Sequence, residues 1–176
     1  MRRLVWMMAV VVMVAGLFGD AAITSGQHGH GGGHADGHRT AQTCAAEFEH
    51  VVGEGRGFGM AFAADQNGYP GPMHVLELKD RLQLTAEQEA KVQALMHAMF
   101  AESRPKSARL LEAEVKLRRL FADGAAADSQ VRAAVAEVER ARSDVRLVHL
   151  LTHLKTRDLL SADQRRIYHA LRWSRP

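Results

Sequence analysis

Two histidines one helical turn apart, His149 and His153, are the residues of this chain best placed to do chemistry. A His-x-x-x-His pair on a helix presents both imidazoles to one point, the geometry a transition-metal ion needs. At 100° per residue the pair shares a sector with Val131, Val135, Val138, Val145 and Val148, so it is turned toward a partner helix. Leu147, Leu150, Leu151 and Leu154 form a second apolar sector behind it, which a short helix or a second subunit must cover. The preceding helix should offer Val92, Leu95, Met96, Met99, Leu110, Leu117, Leu120 and Phe121 on one face, with His97 nearly opposite. If these helices form a hairpin turning near residue 125, His149 lies level with residue 101 and His153 with residue 97, beside Met96 and Met99. A short helix folding back at Leu84 brings His74 level with residue 94. Four candidate ligands thus converge at the open end: His74, Met96, His149 and His153. The alternative is a set of core histidines with ordinary hydrogen bonds. Glu77 is a further carboxylate near His74, and His50, His97 and His169 stand alone.

A second histidine group lies upstream. Residues 26–38 read GQHGHGGGHADGH, with six glycines and four histidines: His28, His30, His34 and His38. Such a tether gains too little from burial to offset the entropy of ordering it, so it is expected to be disordered. Its imidazoles suit Zn, Ni, Cu or Co and can wrap one ion without backbone strain; the plainer reading is a solvated linker.

The chain has 176 residues, room for one domain plus tails. Fourteen of its 15 glycines lie at or before Gly71, which divides it into two unlike materials. Residues 1–21 read as a secretory signal peptide. Met1-Arg2-Arg3 is a positive start, Leu4 to Phe18 is uncharged, and Gly19-Asp20-Ala21 supplies small residues for cleavage. The apolar run is shorter than the ~20 residues a spanning helix wants, although an uncleaved anchor is the alternative. Both readings place the rest outside the cytoplasmic membrane, in the periplasm. The single Cys44 excludes a disulfide-stapled fold and is either incidental or paired with another chain. Residues 22–71 form the Gly/His-rich leader, closed by the turn Asn67-Gly68-Tyr69-Pro70-Gly71-Pro72.

Residues 72–176 carry helical punctuation. Pro72 suits the first turn of a short helix with Val75, Leu78 and Leu82 as its stripe. Thr85 with Gln88 makes a capping box that opens a long helix running to Phe121 and stopping at Asp123-Gly124, bent at Pro105 but unbroken. Asp128 is expected to cap a helix over 129–158. Ser161 with Gln164 repeats the box before a short helix bearing Ile167, Leu171 and Trp173. Neither box has an apolar fourth helical residue, so Leu84 and Leu160 must pack elsewhere. The expected fold is all-α: two long antiparallel helices with a short helix folded at each open end, four in all.

Two Leu-[Thr/Ser]-x-x-Gln boxes, Leu84 to Gln88 and Leu160 to Gln164, bracketing a long hairpin in a secreted chain resemble the Spy/CpxP group. That group includes the zinc-associated ZraP and the CnrX-type heavy-metal sensors, and the resemblance covers roughly residues 58–173. It implies a hooked helical hairpin that pairs into a curved periplasmic homodimer, serving as an ATP-independent chaperone, a stress regulator or a metal sensor. In the sensor branch, histidines before the first box, a residue on the first long helix and a His-x-x-x-Met pair hold the metal. Here His74 and His149 match that pattern, Leu78 stands where a second early histidine would be, Met96 replaces a carboxylate, and His153 replaces the methionine. Zn, Cu, Ni and Co all remain open.

The expected function is therefore a periplasmic transition-metal-binding protein acting in heavy-metal sensing or resistance, with a membrane-bound signalling partner in prospect. The alternative is a chaperone holding unfolded periplasmic proteins. Residues 72–176 carry 19 Lys and Arg against 14 Asp and Glu, a basic surface suited to such clients. The pI near 9.3 would permit nucleic-acid binding, but the export signal argues against it. No Ser/His/Asp set, phosphate-cradling loop or Cys/His nucleophile pair is present in the expected ordered region, so an enzyme is not expected.

Overall fold

The computed structural model describes residues 33–174, with side chains from residue 42 onward. Seven helices and no strand occur among them: α1 (Gly33–Gly53), α2 (Phe62–Asp65), α3 (Pro72–Glu77), α4 (Lys79–Leu82), α5 (Ala86–Ala122), α6 (Asp128–Asp158) and α7 (Ala162–Trp173). The described residues are all-helical, with more helices than the four expected. The signal segment, His28 and His30 lie outside the described residues. His34 and His38 fall on α1, where side chains are not described.

The long helices begin and end on local chemistry. Thr85 accepts from the Gln88 amide at 3.1 Å while Gln88 Oε1 accepts from the Thr85 amide at 3.1 Å. Ser161 and Gln164 repeat this at 3.2 and 2.9 Å. Pro105 lies within α5, which stays continuous through it. Asp128 opens α6 as its first residue and not as its cap; that place is taken by Ala127, whose amide donates to Gln130 Oε1 at 3.3 Å. The helix expected from Pro72 is divided at Leu78 (φ −105°, ψ 13°), and Gln83 in the left-handed region (φ 50°) ends α4.

α5 and α6 run antiparallel. Lys116 meets Glu137 at 2.6 Å, Arg142 meets Glu114 at 2.8 Å, and Gln88 Nε2 donates to the Leu159 carbonyl at 2.8 Å. The two capping-box glutamines meet at the base. Gln88 Nε2 donates to Gln164 Oε1 at 2.9 Å, and Gln164 Nε2 returns a bond to Gln88 Oε1 at 3.0 Å. The second hydrogen of Gln164 goes to the Leu82 carbonyl at 3.2 Å. Each amide group thus uses two donors and two acceptors. Beneath this pair Val75, Leu82, Val92, Leu160 and Tyr168 form one buried cluster, with Leu84 packed against it, which is where the two box leucines go.

The structure departs from expectation over residues 33–71. α1 lies along α5 in the opposite direction: Gly53 is beside Leu111, and Glu49 pairs with Arg118 at 2.6 Å. Its Val52 joins Leu110, Ala113, Val138 and Val145 in a second core cluster, and Phe48 packs edge-on to Phe58. The leader's glycine content hid this helix, because Phe48, Val51 and Val52 supply burial that offsets its weak helix propensity. Phe121 and Val135, expected inside, are 60% and 43% exposed.

Gln88→Ala or Gln164→Ala removes one amide and leaves the partner's donor and a backbone carbonyl unpaired in a part-buried site. Each change should cost about 1–3 kcal/mol. The double variant should cost less than the two singles together, a difference that denaturant unfolding of all four proteins measures.

Candidate metal centre

His149 and His153 are 4% and 7% exposed, on the face of α6 turned into the molecule. What buries them is the segment 54–71, a strap that leaves α1, crosses the hairpin and enters α3. The strap is tied at three places. Ser103 Oγ donates to the Gly55 carbonyl at 2.6 Å, Tyr168 Oη donates to Asp65 Oδ1 at 2.6 Å, and His153 Nδ1 donates to the Tyr69 carbonyl at 2.7 Å. Arg172 adds an ion pair to the other Asp65 oxygen at 3.6 Å, and the Arg157 guanidinium lies 4.8 Å from the centre of the Tyr69 ring. Burial, then the neighbouring carboxylate, raises the Tyr168 pKa and keeps the phenol protonated as the donor.

Two glycines allow the strap to approach. A Cβ on Gly57 would stand 3.0 Å from His149 Cγ, and one on Gly71 would stand 2.9 Å from His153 Nε2. Any larger residue at either place must push the strap or an imidazole aside.

Both imidazoles are held through one nitrogen. A carbonyl only accepts, so His153 carries its proton on Nδ1 and leaves Nε2 with a free lone pair. His149 hydrogen-bonds the backbone of Gly55 and leaves a buried Nε2 without a partner. Backbone acceptors on the far nitrogen are the usual means of orienting a metal-ligating histidine. The His149 pKa is pushed down to about 4, first by burial and then by His153 one turn away. Burial lowers His153 as well, partly opposed by its bond to Tyr69. Both rings are therefore neutral at pH 7, the state a metal requires.

His74, His149 and His153 line one cavity of about 320 Å³ between the strap and the hairpin. Met96 is not among its lining residues. Met99, one turn on along the same expected stripe, is, together with Met73 from α3. His74 Nδ1 is engaged by Glu77 Oε2 at 2.9 Å, with 30% of its side chain exposed. Among the described residues no group of three or more His, Cys, Asp or Glu stands where it could hold a metal ion. The donor set nonetheless fits one in part: an orphaned buried Nε2, a space beside the second Nε2 that a Cβ would fill, and rings already in the ligating tautomer. Asp65, Tyr168 and Arg172, which fix the strap, had no signal in periodicity or spacing. His97 and His169 are exposed, as is Cys44, which is a free thiol.

The model of the heavy-metal resistance family matches residues 57–166, from the glycine over His149 into α7, and the chain belongs to that family. No curated protein and no solved structure matches it. No helix among the described residues is long and apolar enough to cross a membrane.

Because the folded His149 resists a proton that the unfolded chain accepts near pH 6.5, stability is whole above that pH. It should fall as pH drops from about 6.5 toward 4, by on the order of 3 kcal/mol. Urea unfolding at pH 7.5 and 5.0 checks this; His149→Gln should lose most of that pH dependence.

Proposed function

We propose that the protein is a periplasmic metal-binding protein of heavy-metal sensing or resistance, with His149 and His153 as the anchor of its ion. The observation that carries this reading is the buried, unpartnered Nε2 of His149 beside the free Nε2 of His153 in one cavity. Burying an unpaired imidazole nitrogen costs free energy, and a ligand that binds the lone pair recovers it. His74 on the same cavity wall supplies a third nitrogen when it releases Glu77. The export-type start, Met1-Arg2-Arg3 before an uncharged run to Phe18, supports the location.

Strap and hairpin give metal binding something to act on. The strap contacts α5, α6 and α7 through Gly55, Tyr69 and Asp65, so an ion that repositions His153 acts on all three helices. Only differential affinity for two strap positions would shift their populations. Leu147, Leu151 and Leu154, on one face of α6, are 45–53% exposed, which supports pairing with a second copy. The same leucines support the second reading, a surface that holds unfolded clients.

Calorimetric titration should be run on a full-length variant with His28, His30, His34 and His38 changed to Ala. We expect one transition-metal ion per chain, and at least a hundredfold loss of affinity when His149 and His153 are also changed to Ala. Binding lost with the leader histidines alone would leave the helical pair a packing feature and favour the client-holding reading.

A further inference from the structure

The donors around the histidine pair point beyond a generic divalent ion. Two methionines line the cavity with it: Met99 from α5, 6% exposed, and half-buried Met73 from α3. Thioethers are soft, uncharged ligands that favour Cu(I) and related ions, whereas Zn(II), Ni(II) and Co(II) in protein sites rely on thiolates, carboxylates or more imidazoles.

Charge points the same way. Two carboxylates line the cavity with the pair: buried Asp65 is committed to Tyr168 Oη and to the Arg172 guanidinium, and Glu47 lies exposed on α1. Glu77 faces solvent with 55% of its side chain exposed. Arg56 and Arg172 are themselves cavity-lining residues. An ion entering here meets neutral nitrogens and sulfurs, while the guanidiniums of Arg56 and Arg172 pair with Glu54 and Asp65, so the buried part of the wall offers no uncommitted carboxylate. The Born cost of removing an ion from water scales with the square of its charge, so a monovalent ion bears about a quarter of the penalty of a divalent one. The pair of imidazoles with one or two thioethers suits the low coordination numbers of a d¹⁰ monovalent ion. Thioethers are not among the thiolate, imidazole and carboxylate ligands that zinc sites use.

Resting on the metal-binding reading above, we infer that the ion held by His149 and His153 is a soft monovalent cation, Cu(I) or its analogue Ag(I), with Met99 as a sulfur ligand. Met99 occupies the place on α5 that Met96 was expected to fill, one turn nearer the hairpin's tip, and the cavity wall distinguishes them.

The test uses the full-length chain with the four leader histidines changed to Ala. Ag(I) is titrated in chloride-free buffer, Cu(I) is measured by competition with a chromophoric chelator under anaerobic reductant, and Zn(II), Ni(II) and Co(II) are run in parallel. We expect one Ag(I) or Cu(I) per chain, bound at least a hundredfold more tightly than any of the divalent ions. X-ray absorption of the Cu(I) form should show nitrogen and sulfur neighbours. Met99→Leu, which nearly conserves volume, should leave the thermal melt within a few degrees, weaken Cu(I) at least tenfold and remove a sulfur neighbour; Met96→Leu should do none of these. Tighter binding of a divalent ion at the histidine pair, or a Cu(I) spectrum unchanged by Met99→Leu, would overturn the inference while the metal-binding reading stands. Absence of any binding that depends on His149 and His153 would sink both.

Discussion

The fold hangs on two side-chain amides. Gln88 and Gln164 each complete a capping box on their own helix, then bond to one another, and each spends its remaining hydrogen on a carbonyl across the base. A glutamine amide offers two donors and two acceptor positions, and all four are taken on both residues. Helix start, hairpin closure and the approach of α4 to α7 are thereby set by one polar cluster over one apolar one. Partial satisfaction would be worse than none, since each missing bond leaves a shielded polar group behind. The spacing of the two boxes, which looks like a repeated helix-start signal, is in effect a complementary pair of surfaces.

On that base the histidine pair is a local conflict the fold tolerates. Two polar rings occupy positions on α6 that valines fill elsewhere along the same face, and the strap closes over them with glycine where a side chain would not fit. The backbone carbonyls of Gly55 and Tyr69 satisfy one nitrogen of each ring, while the other nitrogen of His149 stays unpaired within the interior. Such an exception to the pairing of buried polar atoms is the kind of site where function is found.

Much of this was legible in the residues, for identifiable reasons. Capping boxes are short-range chemistry, so Thr85, Gln88, Ser161 and Gln164 announced both helix starts. The valine and histidine positions on α6 followed from periodicity, and His74 from where the chain must turn back. The strap was not legible. Gly53, Gly55, Gly57 and Gly59 have the composition of a linker, and their role appears only when His149 is known to lie beneath them. Asp65 and Tyr168 are 103 residues apart and meet through tertiary packing alone. Met96 and Met99 fell in the same helical sector, and periodicity cannot choose between neighbours one turn apart. Phe121 and Val135 were assigned inward because a stripe says which way a residue faces, not whether anything stands there to cover it.

The strap's anchors also order the folding of the chain. Its docking partners come 48, 84 and 103 residues later, at Ser103, His153 and Tyr168, whereas α5 and α6 join through a short turn. Loop-closure entropy favours the hairpin first and the strap last. A chain made N-terminus first presents the strap before any of the surfaces it will cover exists. The histidine pair is therefore open to solvent until the strap docks, and a solute that reaches it in that interval has access that the finished fold restricts.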